Sequence, residues 1–116
     1  MVLGHSRCGA VLATLEELRQ PTESDKRRSR RITDRVRPSI EPLLKTELRH
    51  DFDALVQGAV RANIDASVND LRRGSELLEQ LIQHEGLLVV GVEYSMETGA
   101  VEFFEGTEVG CIPKIA

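Results

Sequence analysis

The sequence predicts an α/β fold, with a parallel β-sheet core flanked by helices, on three observations. A short apolar lead (Met1, Val2, Leu3) runs into Gly4 and reads as a strand. The run Leu87-Leu88-Val89-Val90-Gly91-Val92 is aliphatic throughout, the pattern of a strand buried on both faces in a parallel sheet. Between them lie helical patterns. The clearest spans residues 51–72, where Phe52, Leu55, Val56, Ala59, Val60, Asn63, Ile64, Ser67, Val68 and Leu71 fall on one stripe. With one Tyr, three Phe and no Trp, the core must be aliphatic. The 116 residues allow one domain with a modest core. We divide them into a domain over residues 1–104 and a tail over residues 105–116.

Taken in order, the first helix is expected over residues 9–19, since Val11, Leu12, Leu15 and Leu18 share a face and Pro21 then breaks the pattern. The basic run Lys26-Arg27-Arg28-Ser29-Arg30-Arg31 reads as a solvated loop rather than a nucleic-acid patch. No aromatics interleave it, and Asp25 and Asp34 flank it. Residues 33–48 are helical in pattern but interrupted by Pro38 and Pro42, with Pro42 near a helix start, where its missing N–H costs little. Gly74-Ser75 ends the long helix and caps the next, whose apolar face is Leu77, Leu78, Leu81 and Ile82. Gly86 closes that helix as a left-handed cap. After the second strand, Glu97-Thr98-Gly99 turns the chain. Ala100-Val101-Glu102-Phe103-Phe104 then returns as a strand, antiparallel and at an edge.

The chemistry concentrates near the start, in Gly4-His5-Ser6-Arg7-Cys8-Gly9-Ala10-Val11. His5 and Cys8 are three positions apart where a strand end meets a helix start. A thiol there feels the positive end of the helix dipole, which favours the metal-binding thiolate. A neutral imidazole and a thiolate both suit zinc. A His and a Cys at this spacing also arise by chance, and a free cysteine is commonly a small core hydrophobe.

The flanking residues add to this. Val2-Leu3-Gly4-His5-Ser6-Arg7-Cys8-Gly9-Ala10-Val11 closely resembles the second zinc motif of the beta-class carbonic anhydrases. Further segments in the same order resemble that family: Val60-Arg61-Ala62-Asn63, Ser67-Val68 with Leu71-Arg72, Ser75 with Leu77-Leu78, residues 86–94, and Thr98-Gly99 with Val101. The resemblance implies zinc as cofactor, with His5 and Cys8 as ligands. It also implies reversible hydration of carbon dioxide to bicarbonate, and a homo-oligomer built from dimers.

One part of the family pattern is absent. Its first motif, Cys-x-Asp-x-Arg, supplies another thiolate and an aspartate–arginine pair, and no such run occurs in this sequence. Cys111 is the best substitute ligand within the chain; His50 reads as a surface residue and His84 as a helix C-terminal cap. The catalytic residues are therefore left unassigned. The first strand begins at the first residue, although a buried parallel strand normally has neighbours on both sides. The chain is thus expected to be N-terminally truncated relative to the family fold: part of an ordinary enzyme, one piece of a split one, or a remnant kept for assembly. A non-catalytic oligomeric or zinc-binding remnant is the alternative function.

A net charge of −4 argues against nucleic acid or an anionic membrane as partner. No apolar run approaches the ~20 residues that span a bilayer, and the first residues do not show the basic-then-apolar pattern of a signal peptide. Two cysteines make no disulfide framework, so two reduced thiols in a cytoplasmic protein are expected. No phosphate-cradling glycine loop or serine–histidine–acid arrangement points to another enzyme class.

Overall fold

The computed structural model describes residues 1–19 and 32–105. Their order is β1 (Val2–His5), α1 (Gly9–Arg19), α2 (Thr33–Ile40), two 3-10 turns (Glu41–Lys45 and Glu47–His50), α3 (Phe52–Arg73), α4 (Glu76–His84), β2 (Gly91–Tyr94) and β3 (Val101–Glu105). The basic run at residues 26–31 and the tail with Cys111 lie outside the described residues.

The fold is α/β, as expected, but its sheet is mixed. The described strands lie in the order β1-β2-β3. β1 runs parallel to β2, with Val2 opposite Gly91 and His5 opposite Tyr94. β3 returns antiparallel to β2 and occupies an edge, as its sequence suggested. β1 takes the other edge. Its alternation is plain: Val2 and Gly4 are half-buried, whereas Leu3 and His5 are exposed. At Gly4 α3 comes very close. A β-carbon there would fall inside contact distance of Cδ1 and Cγ1 of Ile64, so the strand can lie against the helix only because residue 4 has no side chain.

The second strand is shorter and later than its aliphatic run. Pairing starts where β1 begins, with the Val2 N–H donating to the Val90 carbonyl at 2.7 Å. Val89, Val90 and Val92 are buried, while Leu87 and Leu88 stay exposed ahead of the ladder. The Arg72 guanidinium donates to the Val89 carbonyl at 2.8 Å and ties the end of α3 to the strand entry.

α3 is the centre of the core. Leu55, Val56, Ala59, Val60, Ile64 and Val68 are buried along it, against Val11 and Leu15 of α1, Val36 and Ile40 of α2, and Val89. Phe52 and Leu71, at the two ends of the predicted stripe, are partly exposed because the helix outruns the layer it packs on. The Arg19 guanidinium lies over the Phe52 ring, 5.0 Å from its centroid. Asp51 caps α3 by accepting from the Ala54 N–H, and Ser75 caps α4 by accepting from the Leu78 N–H. Gly86, at φ 74°, ends α4 in the left-handed region. The predicted helical stretch 33–48 is broken up. Pro38 removes a donor inside α2, which ends two residues later, and Pro42 opens the first 3-10 turn. α4 is the least embedded helix. None of its residues is fully buried, and Leu77 on its expected apolar face is 67% exposed.

Candidate metal centre

His5 closes β1 and Cys8 immediately precedes α1, so both stand where the carboxyl ends of the parallel strands meet a helix N-terminus. Open α/β sheets bind ligands at that end of the strands. The Cys8 carbonyl accepts from the Leu12 N–H at 2.9 Å and starts the helix, while the half-buried thiol side packs against the core. His5 is exposed, and its Nδ1 lies 2.9 Å from the Ser6 carbonyl. A carbonyl only accepts, so the ring proton sits on Nδ1. In the neutral ring that leaves Nε2 as the nitrogen able to accept or to ligate, one of the two ways in which histidine holds metals.

The intervening turn is strained. Arg7 has φ 53°, the one non-glycine residue with positive φ among those described. An L-residue in this region costs of order 1–2 kcal/mol, so the surroundings must enforce it. They do so from the other end of the chain. The Ser6 N–H donates to the Tyr94 carbonyl at 2.9 Å, continuing the ladder past β1. Its hydroxyl donates to Glu97 Oε2 at 2.9 Å and accepts from the Met96 N–H at 2.8 Å. Arg7 Nε pairs with Glu97 Oε1 at 2.9 Å, and the Ser95 hydroxyl donates to Oε2 at 3.1 Å.

Glu97 itself sits in a tight turn between β2 and β3. The Ser95 N–H donates to Ala100, the Gly99 N–H donates back to Ser95, and Gly99 has φ 75°. Hydrogen bonds from the Ser6 hydroxyl, from its own backbone N–H and from the Ser95 hydroxyl, with the Arg7 charge, hold the Glu97 carboxyl below the ordinary carboxylate range.

His5, Ser6, Arg7, Met96 and Glu97 line an open recess of about 380 Å³. A larger groove of about 970 Å³ continues past Arg7 to Arg61, Glu93 and Glu102. There Arg61 pairs with Glu93 at 3.3 Å and with Glu102, and lies over the Phe104 ring at 4.7 Å. Among the described residues, no group of three or more His, Cys, Asp or Glu side chains comes together. His50 is exposed, accepts from Arg49 at 3.2 Å and lies 3.8 Å from Glu47, and His84 ends α4. A nitrogen and a sulfur donor at one strand-to-helix turn, the imidazole already oriented, fit zinc as part of a coordination set.

Residues 1–101 match the family model described as carbonic anhydrase. The chain belongs to the beta-class carbonic anhydrase family. No curated protein matches it. The family is generally zinc-dependent, in keeping with the donor types at His5 and Cys8. No described helix of this carbonic anhydrase family chain is long and apolar enough to cross a membrane. Sequence reasoning singles out His5 and Cys8 as candidate ligands and does not link Ser6, Ser95 and Glu97 to the turn between them. Ser6 and Glu97 are 91 positions apart, and nothing in either local pattern couples them.

Proposed function

We propose that this chain carries part of the zinc site of a carbonic anhydrase, with His5 Nε2 and Cys8 Sγ as ligands, and serves the reversible hydration of carbon dioxide to bicarbonate. The observation that supports this best is the His5 ring, whose Nδ1–H bond to Ser6 leaves Nε2 without a protein partner among the described residues, three positions before Cys8 in a chain matched by the family over residues 1–101. Bound zinc supplies the Lewis acidity that makes a water nucleophilic near neutral pH. The chain's own residues do the holding. Ser6 fixes the imidazole tautomer, the start of α1 fixes the cysteine, and the β2–β3 turn fixes the segment between them.

Two protein donors are fewer than a zinc site uses. We therefore place the remaining ligands beyond the described residues: in a segment upstream of this sequence, in Cys111, or in another subunit. A homo-oligomer is part of this reading, supported by the exposed Leu3 and Leu77 and by the free edge of β1 among the described strands. So are a cytoplasmic setting and a domain ending near residue 104. His5→Ala and Cys8→Ser should each abolish the zinc that the purified protein retains. Zinc content unchanged in both would sink the ligand assignment.

The absence of a third donor among the described residues favours a second reading, a non-catalytic zinc-binding or oligomeric remnant of the same fold. In-frame upstream DNA encoding Cys-x-Asp-x-Arg would rule it out.

A further inference from the structure

We infer that Glu97 is a positioning residue for the turn between His5 and Cys8: its carboxylate clamps Ser6 and Arg7, holding Arg7 in the left-handed region and so fixing the backbone that joins the two donors. The consequence for zinc rests on the ligand reading above; the clamp itself stands on geometry alone.

Three features carry it. The first is the strain at Arg7, which a free loop would relax by returning to negative φ. The second is the contact set, in which one carboxylate engages both residues between the ligands. Oε2 accepts from Ser6, and Oε1 pairs with Arg7. The third is the mounting. Glu97 sits on a turn closed by its own backbone hydrogen bonds, and the Met96 N–H next to it also reaches Ser6. A rigid turn at one end of the chain thus grips a strained turn at the other. Neither Ser6 nor Arg7 is proposed to touch the metal. Their work is to set the backbone that joins the two donors, and outer groups of this kind typically change metal affinity by about 10–100-fold.

The test uses the full chain with Cys111→Ser as background, so that Cys8 is the one thiol. In metal-free protein, Glu97→Ala should raise the rate of Cys8 modification by a thiol reagent several-fold, with the far-ultraviolet circular dichroism unchanged. Glu97→Gln, which keeps the acceptor for Ser6 but not the charge for Arg7, should fall between. Adding Arg7→Gly to Glu97→Ala should return the rate toward wild type, because glycine adopts positive φ at no steric cost. A loss of general packing would not be rescued this way. A rate unchanged in Glu97→Ala, or a double variant no better than the single, overturns the clamp.

Cobalt(II) titration of the same proteins then reads the metal. The thiolate-to-cobalt charge-transfer band should need about tenfold more cobalt in Glu97→Ala and recover in the double variant. Absence of the band in wild type refutes the ligand reading and leaves the clamp to be decided by the thiol rates. A band that titrates identically in wild type and Glu97→Ala refutes the link from clamp to metal.

Discussion

Gly4→Ala is the smallest change that should disturb both the core and the metal-binding turn. The new methyl group would fall inside contact distance of Ile64 Cδ1 and Cγ1, and Ile64 is 3% exposed in the middle of α3. Neither partner has room to give: Ile64 is packed within the buried cluster, and β1 is hydrogen-bonded to β2. Overpacking of this kind costs about 1–3 kcal/mol. Replacing glycine by alanine in a strand returns roughly 0.5–1 kcal/mol of backbone entropy. The net is a loss of about 1–2 kcal/mol, or a midpoint some 4–8 °C lower in a chain of this size. Urea unfolding of four proteins would measure it: wild type, Gly4→Ala, Ile64→Ala and the double variant. Ile64→Ala alone should cost about 2–5 kcal/mol. In the Gly4→Ala background it should cost at least ~1 kcal/mol less, because the cavity accepts the added methyl. Additivity within ~0.3 kcal/mol would show that strand and helix do not meet as described. His5 follows Gly4 in the same strand, so any displacement of β1 carries a ligand with it.

Elsewhere in the core, Leu15→Ala should cost about 2–5 kcal/mol in the same unfolding assay, since Leu15 is fully buried between α1 and its neighbours. Ser75→Ala should cost about 1 kcal/mol by removing the acceptor for the Leu78 N–H, with enhanced amide exchange confined to α4. The depressed carboxyl of Glu97 gives a pH signature. Because its folded value lies below its unfolded one, its contribution is present in full above the ordinary carboxylate range and is lost as pH falls through the depressed value. The stability gap between wild type and Glu97→Gln should therefore shrink on acidification. A gap that widened instead would reverse the assigned sign.

Much of the fold was legible in the sequence because its signals are local. Residues 9–19 form α1 as read, and α3 runs Phe52–Arg73 where the stripe indicated residues 51–72. Ser75 and Gly86 do the capping that their residue types suit. What escaped depends on partners. The aliphatic run from Leu87 reads as a longer strand, but β1 offers pairing only from Val90 onward. The helical pattern in residues 33–48 is real in its apolar spacing and fails at the prolines, so it becomes one short helix and two 3-10 turns. In the candidate site, the two donors could be named from their setting. The Glu97 clamp could not, because residues 91 positions apart meet through the parallel pairing of β1 and β2 and the turn beyond it.

The most direct test of the central claim is zinc per chain in freshly purified protein, with the rate of carbon dioxide hydration taken on the same sample. The account predicts zinc held through His5 and Cys8, with hydration tracking the metal once the remaining ligands are supplied. Protein that neither retains zinc nor takes it up with those ligands supplied would contradict it.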